Sequence, residues 1–162
     1  MRTLVLILSV VFLMSGCGAA EPEVNEIQAV TIGDHDRCHM CGMMVKKYPG
    51  PKGVIALNSN SISPSFCSTR DMFMFALQPE NQRQVKHLYV HDMGKTDWEH
   101  PEDVHFIDAT KAWYVYGTSR KAVMGSAVAP FSTRSDAEAF AKEFGGAVLD
   151  YDQITLPLLS GE

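Results

Sequence analysis

The order of apolar and polar positions divides the chain into a leader, a polar tether and two stretches that share one pattern. "LVLILSVVFLM" (4–14) is an apolar run, interrupted only by Ser9, behind the positive charge of Arg2. It is shorter than the about 20 residues that a membrane-crossing helix requires. "GAAEPEVNEI" (18–27) is small, acidic and too poor in apolar residues to build a core. The first patterned stretch follows. "GVIALN" (53–58) is apolar with β-branched residues and bounded by turn formers, so it predicts a strand. A short strand is expected at 61–65. "FCSTRDMFMFAL" (66–77) predicts a helix, with Ser68 as N-cap and Asp71 at the third helical position. "QVKHLYVHD" (84–92) predicts a further strand. The second stretch repeats the order: "AWYVYG" (112–117), a short strand at 126–130, "FSTRSDAEAFA" (131–141), and "GAVLDYD" (146–152). In it Thr133 and Asp136 occupy the cap positions. Ala137, Phe140, Ala141 and Phe144 recur at helical spacing, and Gly145-Gly146 stops the helix.

The pattern therefore predicts an α+β fold made of two similar strand-strand-helix-strand (ββαβ) units packed together. The expected boundaries are a leader at 1–16, an N-terminal linker at 17–33, a first unit at 34–92, a polar connector at 93–106, a second unit at 107–155 and a tail at 156–162. A unit of roughly 50–60 residues buries little apolar surface by itself, which favours packing of the two.

The end of the leader adds location. "MSGC" (14–17) places small residues directly before a cysteine and resembles the lipobox of bacterial lipoprotein signals. That resemblance implies cleavage after Gly16, with Cys17 as the lipidated first residue. The alternative is an ordinary secretory signal with an incidental cysteine. A lipid anchor puts the domain on the periplasmic side of a bacterial membrane, inner or outer. Residues 17–162 carry 13 basic and 19 acidic side chains, net −6. That balance argues against nucleic acid, which requires a basic patch.

Once Cys17 is assigned to lipid, Cys38, Cys41 and Cys67 remain. An odd cysteine in an exported protein leaves one thiol to be explained. Two of the three fall in "CHMCGMMV" (38–45), together with Met40, Met43 and Met44. Four chemistries fit this stretch. A thioredoxin-type C-x-x-C needs a helix at its start to lower a thiol pKa, and Gly42 with Pro49-Gly50-Pro51 leaves a helix little room. A structural zinc site needs four closed ligands; this is half of one, which Cys67 and a histidine would complete. A local Cys38–Cys41 disulfide with methionines as core filler is the third, and Met72 and Met74 belong mainly to that filler. The fourth is Cu(I), which soft thiolates and thioethers select. Thioether stays a ligand without deprotonation and forms no disulfide, which suits an oxidising compartment.

"CHMCGM" behind a lipoprotein leader, "YVHD", and "DATKAWYVYGTSRKAVMGSAVAPFSTRSDAEAFAKEFGGAVLDYD" together resemble the NosL family over residues 38–152. The resemblance implies two related ββαβ units and a copper chaperone for nitrous oxide reductase. It also implies delivery of Cu(I) for the copper–sulfide centre of that enzyme, alongside a membrane ABC transporter complex that supports maturation. Carried onto this chain, the family's ligands fall on Cys41, Met43 and Met124. Gly42 and Gly125 would let the backbone adopt the angles that bring those side chains together. Cys38 is open as ligand, exchange ligand or oxidisable partner.

His39 and His91 are the histidines closest in pattern to the site. His39 lies between the cysteines, but in extended geometry its side chain points away from them. His91 stands at a strand end, where it would close the site from the side. No G-x-S-x-G, H-E-x-x-H or phosphate loop occurs, so a binding and delivery protein is expected rather than an enzyme. The alternative from another class is an extracytoplasmic thiol–disulfide oxidoreductase using Cys38 and Cys41.

Overall fold

A computed structural model of the chain describes residues 30–59 and 63–161. The leader, the lipobox and Cys17 lie outside these residues, as do positions 61 and 62 of the short strand expected before the first helix. Among the described residues no helix is long and apolar enough to cross a membrane.

The first unit runs β1 (Gly53–Leu57), β2 (Ser65–Phe66), α1 (Thr69–Ala76), a one-turn α2 (Pro79–Gln82) and β3 (Val85–His91). The second runs β5 (Trp113–Lys121), β6 (Ser126–Phe131), α3 (Arg134–Phe144) and β7 (Ala147–Leu149). In both units the first strand is central and antiparallel to its neighbours, giving the orders β2-β1-β3 and β6-β5-β7. β4 (Phe106–Asp108) extends the first sheet at the β3 edge. The two helices start on the expected caps. Ser68 Oγ accepts the N–H of Asp71, and Thr133 Oγ1 accepts the N–H of Asp136. The fold is α+β, built from one arrangement used twice.

Period-two alternation in the second sheet joins the units. Tyr114, Tyr116 and Val128 face the main core, where they meet Phe66, Phe73 and Val54 of the first unit. Val115, Ala127, Ala129 and Phe131 face the other way, onto Ala137 and Phe140 of α3 and onto Trp98. Phe73 of α1 packs edge-on against Tyr114, ring centroids 5.4 Å apart. α1 is thus covered by both sheets. The segment expected as a tail is ordered: α4 (Leu156–Ser160) buries Leu159 in the main core. Arg70 of α1 donates twice to the Leu159 carbonyl, and Tyr116 donates to that of Leu158. The connector is mostly irregular, but Trp98 within it is buried and stacked on Phe140.

Candidate metal centre

The stretch "CHMCGM" forms a tight turn closed by an antiparallel bridge between Arg37 and Met44. The Cys38 N–H donates to the Met43 carbonyl and the Gly42 N–H to the Cys38 carbonyl, both at 2.8 Å. Gly42 has φ +72°, which only glycine adopts without strain, so the chain reverses directly behind Cys41. The His39 N–H donates to the Ser65 carbonyl and pins the turn to the end of β2. Cys38 is buried as a result, and Cys41 stands at the surface.

The same contact brings in a third cysteine. Cys67 follows β2 directly and precedes the N-cap of α1, so it lies beneath the turn. Its Sγ is 3.5 Å from Cys41 Sγ and 3.4 Å from Asp71 Oδ2, and Cys38 Sγ is 3.9 Å from that carboxylate oxygen. The four donor atoms of Cys38, Cys41, Cys67 and Asp71 all lie within 4.8 Å of one another. The sequence offers Cys67 only as a completing ligand with a histidine and Asp71 only as a capping residue; the structure instead sets Cys67 beside Cys41 and Asp71. Two signals pointed to them: the unassigned odd cysteine, and its place one residue before a cap.

Hydrogen bonding separates the thiols electrostatically. The Cys67 thiol and the backbone N–H groups of Cys67 and Cys41 point at Cys38, and they hold its pKa far below the ordinary thiol value. Cys67 moves the opposite way, because its proton is held by Cys38 and the site is buried. Burial also raises the Asp71 carboxyl. A buried ammonium faces this set: Lys52 Nζ donates to the carbonyls of Tyr48, Pro49 and Cys67. Desolvation lowers its pKa to about 8, and Coulombic attraction to the Cys67 and Cys38 side chains opposes that shift.

The other candidates are placed as follows. Met43, at the end of the turn, is half-buried against the main core, and Met124 is 42% exposed in the β5–β6 loop. Gly125 in that loop has φ +69° and lies against the Arg70 guanidinium, next to Asp71. Met72 is fully buried, as expected of core filler. His39 packs in T-shaped contact with the rings of Phe66 and Phe75. His91 does not close the site. Its Nδ1 accepts the Lys52 N–H, its Nε2 meets Asp103 Oδ1 at 3.2 Å, and its ring stacks on Phe106.

Residues 29–159 match the NosL family model. The chain belongs to the NosL family. A copper-binding lipoprotein NosL of Stutzerimonas stutzeri is 45% identical over 148 residues, covering 91% of this chain and 77% of that protein. One from Achromobacter cycloclastes is 35% identical, covering 93% of this chain and 79% of that protein. The crystal structure of the copper chaperone NosL from Shewanella denitrificans superposes with a TM-score of 0.77 at 45% identity, over 80% of this chain and 96% of that one. In this NosL-family chain the C-x-x-C pair lies in a turn followed by a 3-10 segment, Val45–Lys47, and not at the head of an α-helix. The feature that activates a thioredoxin-type thiol is therefore missing from this position.

Proposed function

We propose that this protein is a Cu(I) chaperone, lipid-anchored through Cys17 on the periplasmic side of a bacterial membrane, that supplies copper for the copper centre of nitrous oxide reductase. The observation that carries the reading is the convergence of Cys38, Cys41 and Cys67 at a turn whose outermost sulfur, Cys41, is exposed. A d¹⁰ cuprous ion has no ligand-field preference and is satisfied by two or three soft donors. An acceptor's ligand then attacks from the open side before the donor's leaves. Cys41, Met43 and Met124 are the proposed ligands, with Cys38 as a buried thiolate that helps capture the ion. The thioethers hold copper less tightly than an all-thiolate set, which keeps it extractable. Family membership supports the copper assignment, the reductase enters as the proposed recipient, and the membrane ABC transporter complex as the proposed partner that supports its maturation.

The test is competition for Cu(I) against a chromophoric chelator, under anaerobic and fully reduced conditions. Met43→Ala and Met124→Ala are expected to weaken Cu(I) binding sharply, and Cys41→Ser to abolish it. Affinity should fall as pH drops, because copper displaces a thiol proton. Cu(I) binding that ignores both methionine substitutions, or that does not exceed zinc binding, overturns the proposal.

A further inference from the structure

The β5–β6 hairpin that carries Met124 is weakly held by its own ladder. β5 takes five residues from its pairing at Tyr116 to that at Lys121, where β6 takes two from Val128 to Ser126. Gly117, with φ +78°, lies in that excess and turns the strand aside. The Lys121–Ser126 pair then closes the tip, and Met124 lies beyond it, 42% exposed. Met124 follows Lys121 by three residues, which span about 10 Å when extended. A tip left to itself therefore moves its sulfur over several times the length of a metal–sulfur bond, about 2.3 Å.

The connector supplies the hold. Trp98 is 5% exposed, and its indole Nε1–H donates to the Lys121 carbonyl at 3.1 Å. Its own carbonyl accepts the Gly50 N–H at 2.7 Å. Its ring stacks on Phe140 and lies 5.0 Å from the Arg120 guanidinium, so it grips the hairpin strand from the side as well. Gly50 sits directly against the tip: a Cβ there would meet that of Ala122 at 3.2 Å. Gly50 ends the segment that leads out of the cysteine turn through Val45–Lys47. One side chain in the connector thus ties the hairpin to that segment.

We propose that Trp98 is a positioning residue for the Met124 thioether. It fixes the hairpin to the loop at Gly50 and so sets Met124 against the turn that bears Cys41 and Met43. The proposal rests on reading Met124 as a copper ligand and adds the residue that places it beforehand. A donor held in place before the ion arrives loses less conformational freedom on binding. Trp98 acts through Lys121 and supplies no donor atom itself.

The variant is Trp98→Phe, which keeps an aromatic ring on Phe140 and removes the donor to Lys121. Two readouts are taken on reduced mature protein. The first is the side-chain methyl NMR signal of Met124 without metal, assigned by its loss in Met124→Ala. Trp98→Phe should move that signal toward the position of free methionine. The second is Cu(I) affinity by chelator competition. It should fall about fivefold, the worth of one internal hydrogen bond, and the same substitution in a Met124→Ala background should cost nothing further. Thr133→Ala, which weakens the second unit at its helix cap, should change neither readout. Gly50→Ala, which crowds Ala122, should reproduce the loss and decides the matter if Trp98→Phe is unstable. An unmoved methyl signal overturns the positioning role. So does a Cu(I) affinity left intact where Met124→Ala lowers it, or a loss that persists in full without Met124. A displaced methyl signal with Cu(I) binding indifferent to Met124→Ala leaves Trp98 as the hold of the hairpin and removes the thioether from the copper site.

Discussion

His91 is buried between the Lys52 N–H and Asp103, so its ring couples protonation to stability rather than to metal. Burial, partly offset by Asp103, holds its pKa below the ordinary value near 6.5. As pH falls below that value, the unfolded chain takes up a proton that the folded chain refuses. The unfolded state then binds more protons, so stability present at neutral pH is lost toward the lower folded pKa. Thermal melts between about pH 7.5 and 5 should show this loss, and His91→Gln should flatten the slope in that window. An unchanged slope would place the titration elsewhere. The residue scale also shows why the joining of Cys67 and Asp71 to Cys41 was not legible in the sequence. Cys41 and Cys67 are 26 positions apart, and nothing local to either predicts a 3.5 Å contact. Cys38 and Cys41 were legible because their spacing alone keeps them together.

At the scale of elements, the two helix caps are a natural pair for comparison. Ser68→Ala and Thr133→Ala should each cost about 1 kcal/mol in urea unfolding, because each removes the acceptor for one otherwise unpaired backbone N–H. Their effects on metal binding should differ. The first turn of α1 holds Asp71, and Cys67 directly precedes its cap, so fraying there spreads the donors. The equivalent turn of α3 holds none of the Cys38, Cys41, Cys67 and Asp71 donors. Metal affinity should therefore fall in Ser68→Ala and hold in Thr133→Ala; equal affinities would show that the cap does not position the donors. The repeat extends into the loops. The His39 N–H bonds the Ser65 carbonyl, and the Met93 N–H bonds the Pro130 carbonyl at the corresponding place. Asp92 there stands where Cys38 stands in the first unit and accepts the Ser132 and Gly94 N–H groups. Lys95 Nζ, on an exposed side chain, lies 3.4 Å from its other oxygen, so a surface ammonium supplies the positive charge in that copy.

For the whole molecule, the main core is assembled from both units and from α4, which makes separate melting of the halves unfavourable. Circular dichroism and tryptophan fluorescence should report one coincident unfolding transition. Leu159→Ala should lower the stability of the whole by about 2–5 kcal/mol, the usual cost of emptying a buried leucine site. Two separated transitions would contradict the shared core. The sequence by itself determined the strands and helices of the twofold repeat, the two helix caps and the closeness of the C-x-x-C pair, but not α2, β4 or α4, because only the former rest on periodicity or on near neighbours along the chain. It also pointed to soft-metal chemistry, since sulfur donors crowd within eight positions. Tertiary structure alone decided that the end of β2 lies under that turn, that α1 presents Asp71 to the sulfurs, that Lys52 is buried against them and that His91 is turned to Asp103. Those placements follow from strand pairing and helix packing between distant segments, and no local pattern of side chains encodes how close such segments come.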